Sequence, residues 1–388
     1  MSLKGKAAIT GFAEMTPQKG GGGKTPLGII GEVARDAIAD AGLKKQDIDG
    51  LLTGMAIGDY SVLWPSVISE YLQFHPRYFD LVELGGASAT GMFWRAAAAI
   101  DAGMCDNVLC VLGDSWTSKT MSVGKPPPFP RLDAEFDAPY GLIAANPGYA
   151  LIAQRHMHEF GTTPEQLAKV AVDQRKNACR NPAALFGNKE IGIEDVLNSR
   201  MIVDPLHLLE IVSPCTGGGA FIVTSAERAK DSPHTPVYLL GAGEAGGHCS
   251  ITRAESLTTS LVKPAAEAAF DMAGLTPQDM DFVQPYDCYT ITVLVTLEDA
   301  GFCPKGEGGR FVEDHDLSYA GDFPSNTHGG QLSFGQPGLA GGMSHLIEGV
   351  RQLMGRGEAR QVEAARLGYV NGNGGIMSEQ CSVVIGVN

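Results

Sequence analysis

The sequence predicts an α/β fold built from two similar halves, each a sheet covered by helices. The chain has 388 residues, which is too many for one simple layer and enough for two domains or one duplicated domain. Strand-like and helix-like segments alternate along it, which is typical of a mostly parallel sheet. The alternation starts again near residue 230. We therefore predict an N-terminal half over residues 1–230 and a C-terminal half over residues 231–388.

The first half begins with a strand-like segment at residues 6–12 and a glycine-rich loop at 20–23. An amphipathic helix is predicted from about 27 to 41, because its apolar residues recur on one face. Residues 107–112 form a continuous apolar run of the length of a buried strand. Residues 116–200 are richer in loops and polar helices, so we interpret them as an insertion over the sheet, where a substrate cover would lie.

An apolar run at 216–225 near the end of the first half and another at 236–240 in the second half predict two strands separated by a charged turn. The alternation then starts again, and residues 381–387 predict the last strand. The letters of the two halves show no clear repeat, so the duplication is inferred from the order of elements alone.

Composition excludes several classes of protein. The 29 basic and 44 acidic side chains leave a formal net charge of −15, which would repel a nucleic acid. No apolar stretch approaches the roughly 18 residues of a membrane span, and the first residues lack a signal-peptide core, so we predict a cytoplasmic protein. The eight cysteines are spread singly, which argues against a disulfide framework and against a metal site.

The first segment with candidate chemistry is LVELGGASATG, where a strand leads into a helix and Ser88 lies on the turn between them. The free N–H groups at a helix start favour negative charge. A serine hydroxyl nevertheless needs an adjacent base before it can act as a nucleophile. The alternative is that Ser88 only caps the helix.

The second segment, PYDCYT, places reactive side chains before an apolar helix. A thiolate at Cys288 would be favoured by the helix start, and Tyr286 could transfer a proton. The alternative is that Cys288 is a small buried apolar residue and that the neighbouring tyrosines belong to the core.

Two glycine-rich segments follow. His328 lies in a loop where it could act as a base or acid near pH 7, unless it is simply a surface residue. Glycine lets a ligand approach the backbone closely, so we expect a binding loop composed of Asn326, Gly329, Gly330, Gly335 and Gln336. In NGNGG, amide groups and free N–H groups could hold a carbonyl oxygen, or the segment could be an ordinary turn. This group comprises Asn371, Asn373, Gly374 and Gly375.

In their order along the chain, SATG, YDCYT, NTHGGQLSFGQPG and NGNGG resemble the four active-site motifs of the thiolase superfamily. The resemblance covers essentially the whole chain and implies the thiolase fold, with two similar halves in an αβαβα arrangement. The nearest branch is the thiolase part of sterol carrier protein and the lipid-transfer thiolase-like proteins. It implies acyl-CoA substrates with coenzyme A as a substrate, no tightly bound cofactor, a homodimer, and a small partner subunit with an OB-fold and a zinc ribbon.

Three positions depart from the family pattern. Ser88 stands where the family has its acyl-accepting cysteine, Gln336 where it has the histidine of G-H-P, and Asn371 where it has the second cysteine. The resemblance therefore does not imply an ordinary thiolase. We expect a relocated site in which Cys288 is the thiol nucleophile or proton donor and His328 is the base.

Three functions remain open at this point. The first is CoA-dependent thiolytic cleavage of a bulky branched or aromatic 3-oxoacyl-CoA, of the benzoylsuccinyl-CoA type, by an acyltransferase. In that reaction Asn371 and Asn373, with N–H groups near Ser88, would hold the thioester oxygen. The second is a retro-aldol cleavage of a 3-hydroxyacyl-CoA such as a steroid side chain, with Tyr286 as the proton-transfer group. The third is an inactive subunit that binds acyl-CoA.

Overall fold

The computed structural model describes residues 2–59, 61–116 and 132–387. Within them the strands are β1 (Ala7–Gln18), β2 (Gly50–Thr53), β3 (Tyr78–Leu81), β4 (Asn107–Asp114), β5 (Met201–Val203), β6 (Leu206–His207), β7 (Thr216–Ser225), β8 (Val237–Gly246), β9 (Phe282–Gln284), β10 (Leu367–Gly374) and β11 (Glu379–Gly386). The helices are α1 (Pro26–Asp40), α2 (Trp64–Leu72), α3 (Ser88–Asp101), α4 (Leu132–Phe136), α5 (Ala145–Phe160), α6 (Pro164–Ala178), α7 (Ile193–Leu197), α8 (Val262–Ala273), α9 (Thr290–Asp299), α10 (Gly308–Asp314), α11 (Gly330–Phe334) and α12 (Gly341–Leu353).

Nine of these strands form one hydrogen-bonded sheet in the order β3-β2-β4-β7-β1-β8-β11-β10-β9. Only the pairs β2 with β3, β2 with β4, and β9 with β10 are parallel. The other five pairs run antiparallel, so the expected mostly parallel sheet is wrong. The reason is that β11 follows β10 directly and returns beside it, and that β7 lies between β1 and β4 and runs opposite to both.

The strand order of the first half recurs in the second. The run β2-β4-β7-β1 has the same directions as β9-β10-β11-β8, and the place of β3 is taken by a single parallel bridge from Val283 to Ser325. The two runs join where β1 pairs with β8 at Ala8 and Tyr238. The division near residue 230 falls between β7 and β8 and stays a prediction. The expected insertion also stays a prediction, and its residues 117–131 lie outside the described part of the chain.

The helices form layers on both sides of the strands. Helices α3 and α12 contact each other and strands of both halves, so they lie in the middle of the molecule. Helix α1 covers β1, β4 and β7 from outside, and α8 covers β8 and β11. This gives the five alternating layers of the predicted α/β fold, which is confirmed.

The middle position of α3 explains its sequence. A helix between two layers of strands is buried on nearly all sides and therefore needs small apolar residues all round. Helix α3 supplies a run of four alanines, and its first six residues are buried. Its start lies so close to β10 that a side chain at Gly372 would overlap Ala87 and Thr90. Because Gly372 has no side chain, the start of α3 can pack directly against β10, which belongs to the other half.

Among the helices that the structure describes, none combines the length and the apolar composition that crossing a membrane requires.

Candidate active site

Four segments meet at the centre of the molecule: the start of α3, the loop before α9, the loop around α11, and the end of β10. A side chain at Gly86 would overlap both the hydroxyl of Tyr286 and the backbone oxygen of Asn373. The amide of Gln336 lies 3.4 Å from the same hydroxyl. The four segments selected from the sequence thus converge on one place.

Ser88 is the first residue of α3 and is almost completely buried. Its hydroxyl donates to the backbone oxygen of Gly85 at 2.7 Å and accepts from the N–H of Leu84 at 2.9 Å. Both functions of the hydroxyl are used within its own turn. Ser88 therefore stabilises the turn before the helix. Among the described residues, no neighbouring base is hydrogen-bonded to it.

Tyr286 lies nearest the centre of the site. Its ring is buried, and its hydroxyl receives hydrogen bonds from the side chains of Gln336 and Gln331. Burial raises the pKa of this hydroxyl well above its usual range. Tyr286 is therefore a neutral proton donor at physiological pH.

Cys288 lies beside Tyr286 in a pocket of polar side chains. Its sulfur accepts from the amide of Asn373 at 3.7 Å and is hydrogen-bonded to the hydroxyl of Tyr149. Burial nevertheless raises the pKa of the thiol to about 12. The expected thiolate at Cys288 is therefore wrong: the residue precedes α9 but is too deeply buried to ionise at neutral pH.

The two asparagines of β10 have different surroundings. The amide of Asn373 donates to the Tyr149 hydroxyl at 2.9 Å, and its oxygen accepts from Gln380 at 2.7 Å. Asn371 donates to the side chain of Gln380 at 3.3 Å, within the sheet, and its own oxygen has no partner among the described residues. Only Asn373 faces the Cys288 pocket.

The loop around α11 is packed against the chain itself. Gly329, Gly330 and Gly335 all have positive φ, and side chains there would overlap Ala178, Asp287 and Cys215 respectively. Protein atoms therefore fill the space beside the α-carbons of these glycines, and the expected binding loop stays a prediction.

Asn326 and the turn after β10 also have internal partners. The amide of Asn326 donates to the backbone oxygen of Pro285 at 3.0 Å, which holds the loop before α9. Gly374 touches Gly85 at the start of the site, and the oxygen of Gly375 accepts from Tyr149 at 2.8 Å.

His328 is buried, so the alternative of a surface residue is wrong. Burial and the neighbouring His345 lower the pKa of its imidazole well below the usual range, and the ring is neutral. Neither of its ring nitrogens has a hydrogen-bond partner among the described residues. The ring packs 5.1 Å from the His345 ring and 5.3 Å from that of Phe334. No hydrogen bond joins His328 to Cys288 among the described residues, and His345 packs against both His328 and Tyr286.

Sequence reasoning missed a second set of polar side chains in this site. His345 on α12 lies 3.0 Å from Asp287, and its ring centroid is 5.6 Å from that of Tyr286. Asp287 also accepts from the N–H groups of Gln331 and Leu332, at 2.8 and 3.1 Å, at the start of α11. Asp287 stood within the PYDCYT segment and could have been found. His345 carried no signal, because a histidine on a helix shows nothing of what it faces.

A groove of about 840 Å³ opens beside the site. Its wall includes Ile376, which packs against Gly148 next to Tyr149. The loop after β8 supplies Arg253, and the start of α8 supplies Lys263. The groove thus joins apolar walls to two cations. Among the residues that the structure describes, no three histidine, cysteine or acidic side chains are placed to hold a metal ion.

Comparison with known proteins gives a consistent picture. A sequence profile described as Thiolase C-terminal domain-like matches residues 243–387. The steroid side-chain-cleaving aldolase of Thermomonospora curvata is 35% identical, over 91% of this chain and 91% of that protein. The acetyl-CoA acetyltransferase of Methanothermobacter thermautotrophicus is 36% identical, over 89% of this chain and 91% of that protein.

A third relative is the benzoylsuccinyl-CoA thiolase subunit BbsB of Thauera aromatica, which is 30% identical over 65% of each chain. Among solved structures, the Ltp2-ChsH2(DUF35) aldolase superposes with a TM-score of 0.89 at 32% identity, covering 99% of this chain and 98% of that chain.

Proposed function

The chain belongs to the thiolase superfamily, and we propose that it is an enzyme that cleaves a 3-hydroxyacyl-CoA by a retro-aldol reaction. The observation that carries this proposal is that, among the residues that the structure describes, no ionised nucleophile lies where the four segments meet. Ser88 uses its hydroxyl within its own turn, and the Cys288 thiol has a pKa of about 12. At pH 7 only about one such thiol in 10⁵ is ionised. A covalent acyl-enzyme is therefore disfavoured, and retro-aldol cleavage needs none.

The residues at the site suit the proton transfers of that reaction. The 3-hydroxyl of the substrate loses its proton, the bond between carbons 2 and 3 breaks, and its electrons move onto the thioester carbonyl as an enolate. A proton is then returned to carbon 2, which gives a shortened acyl-CoA and a ketone or aldehyde. Tyr286 would accept and return the proton, and the amides of Gln336 and Asn373 would donate to the developing negative charge.

The groove supports a bulky acyl group on coenzyme A. Its volume of about 840 Å³ lies within the range of sites for large ligands, and Arg253 and Lys263 offer positive charge to phosphates. A similar protein, at 35% identity, is named a steroid side-chain-cleaving aldolase. We therefore expect coenzyme A thioesters with a polycyclic or other large apolar chain, and no tightly bound cofactor.

A partner subunit is part of the proposal. The similar solved structure is a complex that its description calls Ltp2-ChsH2(DUF35) aldolase. We expect a small partner of the kind inferred from the resemblance, with an OB-fold and a zinc ribbon.

We also expect a homodimer. Strand β3 lies at the edge of the sheet and exposes Phe79 and Leu81 at 49% and 37%, which suits pairing with a second copy. Light scattering of Phe79→Lys should then give half the mass found for the unchanged protein. Equal masses would remove this part of the proposal.

Thiolytic cleavage of a 3-oxoacyl-CoA is the second candidate. It is favoured by the similarity to the benzoylsuccinyl-CoA thiolase subunit and by the amide of Asn373, which donates towards the sulfur of Cys288. For this reaction substrate binding would have to lower the pKa of Cys288 by several units.

The two reactions are distinguished by their need for free coenzyme A. The purified protein, alone and with a candidate small partner subunit, is incubated with a 3-hydroxyacyl-CoA that carries a fused-ring chain and separately with the matching 3-oxoacyl-CoA. We expect cleavage of the first without added coenzyme A. Cleavage of the second only with added coenzyme A would establish thiolysis instead. No cleavage under either condition would indicate the inactive binding subunit.

A further inference from the structure

Behind Tyr286, away from the groove, lies a set of buried polar side chains that the proposed reaction has not yet used. His345 is 1% exposed, and one of its ring nitrogens, Nε2, lies 3.0 Å from a carboxylate oxygen of Asp287. The other nitrogen, Nδ1, has no hydrogen-bond partner in the described residues. The amide nitrogen of Gln331 lies 3.0 Å from the same Nε2, so the tautomer of the ring decides which of the two contacts is a hydrogen bond. In the tautomer that donates Nε2–H to Asp287, Nδ1 keeps a free lone pair, which is how a histidine base is oriented.

Several neighbouring atoms in this set lack partners in the same way. They are Nδ1 and Nε2 of His328, Nδ1 of His345, and the side-chain oxygen of Gln331. All belong to buried residues, and each of the His328 and Gln331 side chains is in contact with His345: the two rings are 5.1 Å apart, and the Gln331 amide is 3.0 Å from Nε2. Buried polar groups in proteins are nearly always hydrogen-bonded, to water where no protein group is near. The cluster therefore has the character of a small internal water site.

Tyr286 needs such a neighbour. A neutral phenol can take the proton of a substrate hydroxyl only if it passes its own proton on. Its ring centroid is 5.6 Å from that of His345, and no hydrogen bond joins the two side chains among the described residues. One bridging water is the simplest link over such a gap.

We propose that His345, oriented by Asp287, stores the proton that Tyr286 takes from the substrate, and that an internal water carries it between them. This rests on the proposed function. The substrate hydroxyl gives its proton to the oxygen of Tyr286, the phenol proton moves through the water to Nδ1 of His345, and the ring becomes an imidazolium beside Asp287. After the carbon–carbon bond has broken, the same proton returns along this path to carbon 2. No proton is gained or lost overall.

The charges around the cluster agree with this role. His345 faces the Asp287 carboxylate from the loop before α9, which stabilises an added positive charge. It also faces Tyr286, Gln331 and the neutral His328. Behind His328 lies Glu348, whose charge is matched by two guanidinium groups at 2.7 and 3.0 Å, those of Arg351 and Arg360. Of the two described histidines in this cluster, His345 is the one that lies 3.0 Å from a carboxylate whose charge no guanidinium group matches, so the proton is placed on His345.

The test uses His345→Gln in the full chain with its partner, on the 3-hydroxyacyl-CoA substrate. We expect kcat to fall at least about 100-fold, KM to stay within about threefold, and the acid limb of the pH–rate profile to disappear. In His345→Gly, added imidazole should restore part of kcat, whereas pyrazole, a much weaker base of the same shape, should not. A purely structural role would be filled equally by both rings.

The matched control is His156→Gln. His156 is also fully buried and lies 3.0 Å from a carboxylate, that of Glu298, but its second nitrogen is bonded to Thr162 and it lies outside the site. This variant should keep the pH profile of the unchanged enzyme.

An unchanged profile and kcat in His345→Gln, in an enzyme that cleaves the substrate, would overturn the proton store while leaving the aldolase proposal intact. If the unchanged enzyme cleaves nothing, the aldolase proposal fails. In that case, nitrogen-15 NMR of labelled histidine tests whether His345 can take up a proton. If the signals of His345 do not change with pH, its role as the proton store is overturned.

Discussion

Replacing Tyr286 by phenylalanine removes one hydroxyl from the centre of the site and leaves its ring in place. The expected changes in kcat and in the free energy of unfolding follow from the contacts of the Tyr286 hydroxyl. Positioned proton transfer contributes about 10² to 10⁴ in rate, so we expect kcat for 3-hydroxyacyl-CoA cleavage to fall about 10³-fold. The hydroxyl has a long bond of 3.4 Å from Gln336, which is half-buried and can turn towards water. Its loss should therefore lower the free energy of unfolding by only about 1 kcal/mol.

The assay separates the two effects. Chromatography of the CoA thioesters gives kcat and KM, and urea unfolding gives the free energy of unfolding. The matched control is Tyr369→Phe, since Tyr369 is fully buried and shares a 2.8 Å hydrogen bond with Ser382 away from the site. That variant should lose about 1 to 2 kcal/mol of stability and keep its kcat. If Tyr286→Phe keeps kcat within threefold, the assignment of Tyr286 as the proton-transfer group is refuted.

Three further predictions test other parts of the structure. Cys288→Ala should keep the rate of retro-aldol cleavage within about threefold of the unchanged protein, and abolished cleavage would instead indicate a nucleophilic thiol. In the unchanged protein, alkylation of Cys288 should be slow at pH 7 and faster at higher pH, because the pKa of its thiol is about 12. Gly86→Ala should lose at least about 100-fold in kcat with its circular dichroism unchanged, since the methyl group would overlap the Tyr286 hydroxyl. Gly192→Ala, where the methyl group would meet a side-chain oxygen of Asp195 at an ordinary contact distance of 3.8 Å, should keep full activity. Folding lowers the pKa of His328, so below about pH 6.5 the unfolded chain binds a proton that the folded chain does not, and the free energy of unfolding should fall as the pH drops. Urea unfolding should show a loss of up to about 1.4 kcal/mol per pH unit that is absent from His328→Gln. Equal dependence of the two free energies of unfolding on pH would contradict a buried neutral imidazole.

The fold was largely predictable from the sequence. Alternation of strand-like and helix-like segments, restarting near residue 230, predicts an α/β fold of repeated units, and the motif order predicts the superfamily. The expected parallel sheet was wrong because periodicity along one strand reports its burial and not the direction of its neighbour. Both β7 and β11 are apolar runs of the kind that parallel strands show, yet they pair antiparallel on both sides.

The sequence was enough to predict which segments form the site, but not the chemical role of each side chain in it. Ser88, Tyr286 and Asn373 belong to segments that come together: Ser88 begins α3, Tyr286 follows β9, and Asn373 lies near the end of β10. Glycines at 86 and 372 let these parts of the chain approach each other closely. Whether Cys288 ionises depends on how much water reaches it, which no local sequence pattern records. The same holds for His328, which lies in a polar-looking loop and is nevertheless closed off by Phe334 and His345.

The sequence by itself determined the layered α/β architecture, the superfamily, and the loss of the usual nucleophile at position 88, because these depend on residue type and order. The tertiary structure alone decided that Cys288 is buried, which raises the pKa of its thiol, that His328 packs against His345 and Phe334, and that Asp287 faces His345. The physical reason is that ionisation and hydrogen bonding depend on burial and on neighbours from distant parts of the chain. Asp287 and His345 are 58 positions apart in the sequence and 3.0 Å apart in the folded protein.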